Sequence, residues 1–376
     1  MGRNIGSGRG SIYKRGDKWR GQISIEGHRY SFTSEKKKEV IKWMSDIQSD
    51  ANRGIIIDTN NYTVEEWMEI YFEKRVKPKV SENTYYNHHN CIKSHLYPIL
   101  GNIPIRELDT QTIQDAYPKM FESKKSKKYK RSNYCEGTVK MFSQRFRAGL
   151  DYAVEQGVIR KNPHYDVILP KMDKGKRVEA YDEDEQRIIV EHCRNATDID
   201  RVYYFLIATG LRVGECISLT WDDVNLKKSY VYVNKTAVNY RGTMIVRDHP
   251  KTEQSVRVVY IANNTKLFLE AMKALQISKE SDNRRNLVFP NNQGNIYHTS
   301  ALRSRWIKLC AELNIPYKGM HALRHSWATR AFEKHIEVQT VSKMLGHKSV
   351  ATTMDIYQSV FAEHKIKAAQ IMNSVV

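Results

Sequence analysis

Residues 320–357, MHALRHSWATRAFEKHIEVQTVSKMLGHKSVATTMDIY, space imidazole, guanidinium and phenol groups along what reads as three short helices. His321 and Arg324 are three residues apart, so they share one helical face. A guanidinium stays charged and can bond two oxygens of one anion. An imidazole exchanges protons near neutral pH, and a phenol becomes a covalent nucleophile once its proton is taken. Leu323, Trp327 and Ala331 make a separate apolar stripe that would turn this helix toward a core. A second apolar run, Val338, Val341 and Leu345, stops at Gly346, a residue suited to the left-handed position past a helix end. That stop predicts His347 on a turn, with Ser349 capping a third helix that carries Tyr357. A second arginine, Arg212, follows a Gly turn at the start of another predicted helix, where backbone N–H groups favour an anion. Lys251 lies between predicted strands at 230–235 and 256–261. Taken singly, each group has an ordinary reading. A His near an Arg is a solvated pair, R-x-x-E is a helix salt bridge, and a turn lysine is solvated. Tyr357 shares a stripe with Val350, Met354 and Phe361 and could simply pack.

Taken in order, H-A-L-R-H, L-G-H and T-T-M-D-I-Y resemble the C-terminal signature of the tyrosine recombinases, the phage-integrase family. T-G-L-R-x-x-E at 209–215 resembles the motif with the family's first catalytic arginine, Glu215 being its buried support. K-T-x-x-S-x-R at 251–257 resembles the hairpin that carries the catalytic lysine. H-L-x-P-x-L-G-x-x-P-I-x-x-L at 95–108 resembles the core-binding domain. The resemblance implies Tyr357 as nucleophile, Arg212 and Arg324 as a phosphate clamp, and Lys251 as the general acid on the 5′-oxygen leaving group. It implies His321 as proton acceptor or phosphate ligand and His347 as a second donor to the phosphate. His325 competes with His321, and the family pattern favours the first histidine. The implied reaction holds one DNA end as a 3′-phosphotyrosine, conserves the bond energy and needs no cofactor. A free phenol is ionised only on the order of 0.1% at pH 7, so the site must be strongly positive and assist proton departure.

The bulk composition agrees. Sixty-one Lys and Arg against 42 Asp and Glu give +19 and a pI near 9.5, which favours a polyanionic partner. A hydrophobic share of 40% supplies real cores and excludes a disordered chain. Five cysteines, Cys91, Cys135, Cys193, Cys216 and Cys310, never form a C-x-x-C pair, so neither a disulfide framework nor a zinc site is expected. His88, His89 and His95 lack zinc-type spacing, and no metal is expected. With no signal peptide and no apolar run long enough for a bilayer, the expectation is a soluble protein of the bacterial cytoplasm or nucleoid.

The elements ahead of these motifs read as follows. Strand candidates at 11–14, 18–25 and 28–33 are separated by turn residues, and a helix at 35–50 is striped by Val40, Trp43, Met44 and Ile47. This resembles the arm-binding modules of integrases, with Arg9, Lys14, Arg15, Lys18, Arg20 and Arg29 as implied DNA contacts. Thr63 and Glu66 form a capping box, and a second helix starts near Ser81. The run at 119–131, with Lys124, Lys125, Lys127 and Lys128, is the densest positive stretch and reads as a loop that would sit against phosphates. A long helix striped by Val139, Phe142, Phe146, Leu150 and Ala153 ends near Gly157, and a basic linker covers 171–180. Asp182 and Glu185 make the capping box that opens the last domain.

The expected architecture is α+β, mainly helical, in three domains. Residues 1–57 form an arm-type module of three strands and a helix, 60–170 a helical core-binding domain, and 178–376 a catalytic domain with a small sheet. The expected activity is site-specific integration and excision of a phage or mobile element by a homo-tetramer on double-stranded DNA, at core and arm sites. A host DNA-bending factor and an excisionase are implied helpers. A Xer-type chromosome-dimer resolvase and a non-cutting regulator on the same fold are the alternatives. No aromatic-rich RNA-recognition motif is present.

Overall fold

Periodicity decides the elements, and helices dominate. The computed structural model describes residues 10–25, 28–52, 61–121, 136–171, 179–248, 256–278, 283, 285–347, 349–351 and 353–354. They fall in two compact units, Met1–Lys176 and Arg177–Val376.

In the first unit, β1 (Ser11–Arg15), β2 (Lys18–Ile25) and β3 (His28–Ser34) form an antiparallel sheet in that order. One face is covered by α1 (Lys37–Asn52), whose Val40, Met44 and Ile47 are buried with Ile23 and Tyr30 of the sheet. The helix starts two residues later than expected. Ser34 Oγ accepts from the Lys36 amide at 3.2 Å and bonds the Glu39 carboxylate at 2.5 Å, which holds Glu35 and Lys36 in the turn.

The helical part opens at α2 (Val64–Tyr71), where the Thr63–Glu66 capping box forms as expected. It continues through one π-helical turn, Phe72–Val76, then α3 (Glu82–His95), the short α4 (Tyr97–Leu100), α5 (Thr110–Phe121) and α6 (Glu136–Glu155). Ser81 caps α3, and the α6 stripe is buried as its spacing predicts. Helix α5 runs through Phe121, past Lys119 and into the stretch that the basic run marks as a loop. Ile113, Ala116, Tyr117, Met120 and Phe121 give the helix a buried face, and Asp109 accepts from the Thr112 amide at 2.7 Å at its start. Lys119 therefore sits on the exposed side of the last turn, and residues 122–131 of the basic run lie outside the described residues.

A buried polar pair spans this core. The Tyr117 hydroxyl and His164 Nε2 are 2.7 Å apart, and burial pushes His164 down to about 4, so it is neutral at pH 7. Tyr117→Phe leaves a buried ring nitrogen without its partner. It is expected to cost about 1–3 kcal/mol in urea unfolding of the full chain. An unchanged transition would show that His164 finds another partner.

The second unit runs α7 (Glu183–Arg194), α8 (Arg201–Thr209), α9 (Val213–Ile217), β4 (Val224–Asn225), β5 (Tyr230–Val233), β6 (Lys235–Tyr240), β7 (Thr243–Asp248), β8 (Arg257–Tyr260), α10 (Asn263–Ser278), α11 (Thr299–Glu312), α12 (His321–Glu333) and α13 (Val338–Leu345). The Asp182–Glu185 capping box opens α7. Strands β4, β5 and β8 form one small sheet, and β6 with β7 forms a separate hairpin. That hairpin falls between the two strands expected from alternation. Helix α8 is buried on nearly every side, with Val202, Tyr203, Phe205, Leu206 and Ile207 in one core with Trp306 and Phe289. Leu323 and Ala331 of α12 are buried and Trp327 is partly so, as their stripe predicts. No helix among the described residues is long and apolar enough to cross a membrane.

Candidate active site

Three arginines from three separate elements converge on one helix end. Helix α13 stops at Gly346, whose φ of +66° and ψ of 48° place it in the left-handed region. A Cβ there would also come within 2.8 Å of the Arg257 guanidinium. The last carbonyls of a helix lack intrahelical partners and form its negative pole. Here they take cations. The Met344 carbonyl accepts from Arg257 Nε at 2.7 Å, Leu345 from Arg324 Nη2 at 2.6 Å, and Gly346 from Arg212 Nη2 at 2.9 Å.

The Gly210 turn brings Arg212 to this point. Helix α8 ends at Gly210 with φ +68°, where a Cβ would press on Leu345 and Trp327 at 2.9 and 3.0 Å. Arg212 then takes the position before α9. Its backbone N–H donates to Glu215 Oε2 at 3.0 Å and its Nη1 to Glu215 Oε1 at 2.7 Å. The anion that this helix start favours is the chain's own carboxylate, Glu215. What Arg212 offers an outside ligand is its side chain, 38% exposed.

Glu215 is 3% exposed and also accepts from Arg257 Nη1 at 3.2 Å and Nη2 at 2.9 Å. Burial alone would raise its carboxyl, but the bonds and charge of Arg257, then Arg212, outweigh this and hold it below the ordinary range. Glu215→Gln removes the charge that neutralises two buried or half-buried guanidiniums. It is expected to destabilise the protein by about 3–5 kcal/mol in denaturant titration. A loss under 1 kcal/mol, of the size seen for exposed pairs, would contradict this role.

Arg324 is 3% exposed, and its Nη1 also donates to the Gly210 carbonyl at 2.8 Å. Two of its five N–H donors are thus spent on protein. Burial first, then the charge of Arg212, pushes it down to about 9, which still leaves it cationic at pH 7. His321 opens α12. Desolvation, then Arg324 and Arg212, lower its imidazole, although one side of the residue stays open to solvent. Burial lowers His325 without a contribution from Arg212 or Arg324, and its Nδ1 lies 3.5 Å from Thr329 Oγ1. Of the two competitors, His321 is the one inside the arginine field.

His347 lies off the helix, as the Gly346 stop predicts, with Nδ1 2.7 Å from Thr353 Oγ1. Burial, then Arg324 and Arg212, push it down to about 4. The folded value lies below the ordinary 6.5, so the unfolded chain binds this proton first as pH falls. Its contribution to stability is complete above about pH 6.5 and is lost on the way down to about pH 4. His347→Asn is expected to lessen the loss of stability between pH 7 and 5, read from urea midpoints. His164 contributes a similar loss of its own. An unaltered pH slope would exclude His347 as a group held neutral.

Ser349 Oγ accepts from the Ala351 amide at 3.2 Å, the cap expected for the third helix. Tyr357 and Lys251 lie outside the described residues, as do Arg9, Lys124, Lys125, Lys127 and Lys128. In the N-terminal sheet, register puts Arg15 opposite Lys18, Tyr13 opposite Arg20 and Ser24 opposite Arg29. Arg15, Lys18, Arg20 and Arg29 therefore share the face away from α1. Lys14 pairs with Trp19 and falls on the other face. Arg257 was missed as a site residue. The signal was an arginine at an inward position of an alternating strand, where β8 reads buried, exposed, buried, exposed. Among the described residues no group of His, Cys, Asp and Glu could hold a metal ion.

Two family models match. One described as the phage integrase family covers residues 180–364, and one described as the phage integrase N-terminal SAM-like domain covers 63–121. The chain is similar to a protein named tyrosine recombinase XerC-like from Caldanaerobacter subterraneus subsp. tengcongensis, 26% identical over 92% of each chain. It is also similar to the ICEBs1 integrase of Bacillus subtilis, 23% identical over 78% of each. In fold it is similar to the Tn1549 transposon integrase, solved in complex with a circular intermediate DNA. The TM-score is 0.65 at 18% identity, over 81% of this chain and 99% of that one.

Proposed function

The chain belongs to the phage integrase family, and from that premise we propose that it is a site-specific DNA recombinase that integrates and excises a phage or mobile element. The observation that carries the reading is the meeting of Arg212, Arg324, His321 and His347 around the end of α13, with Glu215 as the one carboxylate among them in the described residues. Such a site fits one phosphodiester. Arg212 and Arg324 hold its non-bridging oxygens, where charge accumulates in the transition state. Tyr357 attacks phosphorus, His321 takes the phenolic proton, and Lys251 gives a proton to the departing 5′ oxygen. The products are a 3′-phosphotyrosine and a 5′ hydroxyl, and attack by a 5′ hydroxyl from either duplex reverses the step. No bond energy is lost to water, so no nucleotide cofactor is needed. His347 is held neutral, so it donates to the phosphate from Nε2 when Thr353 donates to Nδ1.

Residues 1–57 act as the arm-binding module, 60–170 as the core-binding domain and 178–376 as the catalytic domain. Arg15, Lys18, Arg20 and Arg29 meet arm-site phosphates from the face away from α1, and Arg9 joins them as a further contact. Lys14, on the other face, is no longer counted among them, and Lys124, Lys125, Lys127 and Lys128 meet core-site phosphates. The acting form is a homo-tetramer on double-stranded DNA in the bacterial cytoplasm or nucleoid, assisted by a host DNA-bending factor and an excisionase.

One observation favours a Xer-type resolvase instead: the XerC-like relative is similar over 92% of the chain, and the sheet module therefore does not by itself exclude it. Footprinting on the DNA flanking the gene separates the two, since distal arm-site protection belongs to the integrase reading and one protected inverted repeat to the resolvase. The recombinase reading itself is tested with nicked suicide duplexes drawn from the same DNA. A protein–DNA species stable in SDS, with a new 5′ hydroxyl that a polynucleotide kinase can label, is expected. DNA binding without such a species would support the non-cutting regulator.

A further inference from the structure

We propose that Arg257 is a positioning residue of the strand-transfer site, locking Glu215 and the end of α13 together so that Arg212 and His347 face the same phosphate. The inference rests on the recombinase reading for its consequence in cleavage, but its geometry stands apart from it.

Arg257 opens β8, is 9% exposed and donates from Nε, Nη1 and Nη2 to groups of the protein itself, so its role lies in holding those groups. Its fork takes both oxygens of Glu215, at 3.2 and 2.9 Å, and the same carboxylate holds the Arg212 backbone N–H and Nη1. Its Nε donates to the Met344 carbonyl at 2.7 Å, two residues before the glycine that turns the chain toward His347. One planar group thus ties three elements: β8, the α9 start and the α13 end. A lysine carries its three donors on a single nitrogen and cannot span these acceptors as the planar fork does. Gly346 packs directly against it, where a Cβ would meet Nη1 at 2.8 Å and the side-chain carbons at 3.1 Å. The left-handed glycine and the arginine under it are therefore one fitted unit. If Arg257 is lost, Glu215 keeps only the bonds from Arg212, and the Met344 carbonyl loses its cation. Arg212 can then follow the carboxylate away from the phosphate position, and the turn bearing His347 can loosen.

The test compares wild type, Arg257→Gln, Arg257→Lys, Glu215→Gln and the Arg257→Gln/Glu215→Gln pair, all in the full chain. On nicked duplexes from the DNA flanking the gene, Arg257→Gln is expected to slow adduct formation by about 100-fold while DNA affinity stays within about threefold. Arg257→Lys keeps the charge and should recover no more than about a tenth of the loss. Because Arg257 acts partly through Glu215 and partly through the Met344 carbonyl, the pair should be slower than Glu215→Gln alone, but by clearly less than the full Arg257→Gln loss. Losses that multiply, or an Arg257→Lys variant as fast as wild type, would overturn the proposal. A second readout needs no DNA. In the free protein, NMR titration of the His347 ring should show its pKa rising in both Arg257→Gln and Arg257→Lys. A rise in Arg257→Gln alone would mean that only charge matters, and positioning would be refuted. If wild type forms no adduct at all, the recombinase reading fails while the titration still decides what Arg257 does.

Discussion

The Tyr357→Phe variant is expected to bind its DNA within about twofold of wild type and to form no covalent adduct. Affinity comes from many phosphate contacts spread over a chain of net charge +19, and one phenolic oxygen is a small part of it. The chemistry, in contrast, has no substitute for that oxygen. Phenylalanine keeps the apolar ring and removes only the hydroxyl, so the fold should hold. Electrophoresis in SDS after incubation with a suicide duplex reads the adduct, and a mobility-shift titration reads the affinity. A persistent adduct would send the search for the nucleophile elsewhere in the chain.

Arg324→Ala is expected to slow single-turnover cleavage by about 10³- to 10⁵-fold, the range found when a phosphate-stabilising arginine is removed from a phosphoryl-transfer site. Two effects coincide at this residue. Its remaining donors are the ones available to a phosphate, and its used donors hold the Gly210 and Leu345 carbonyls at 2.8 and 2.6 Å. Losing the second pair leaves buried acceptors unpaired, at about 1–3 kcal/mol each in stability. Arg324→Lys separates the effects, since it returns a charge without the planar fork. We expect this variant to recover binding of DNA but little of the rate. Because Arg324 is the first charge that lowers His347, Arg324→Ala should also let that histidine titrate higher. A cleavage rate within tenfold of wild type for Arg324→Ala would remove this residue from the clamp.

Much of this arrangement is written locally. Gly346 and Gly210 announce their turns because few other residues accept a left-handed backbone, and both are found there. The capping boxes at Thr63 and Asp182 and the apolar stripes of α6 and α12 follow from spacing of three and four residues. What spacing cannot give is long-range partnership. Glu215 and Arg257 are 42 residues apart, and Arg212 and Gly346 are 134 apart, so nothing local couples them. The amides ahead of α9 illustrate the gap. Sequence marks them as an anion site, but the capping carboxylate three residues on is already there. Likewise the last turn of α5 was hidden because a conspicuous basic run competed with a quieter apolar stripe. Lys14 shows the opposite case, where a basic residue counted with its neighbours falls on the other face by strand alternation.

The most direct measurement is to trap the wild-type adduct on a nicked duplex from the DNA flanking the gene, digest both components, and locate the attached nucleotide by mass spectrometry. A nucleotide joined through its 3′ phosphate to the Tyr357 oxygen is the predicted result. Attachment through a 5′ phosphate, attachment to any other side chain, or cleavage with no attachment would contradict it.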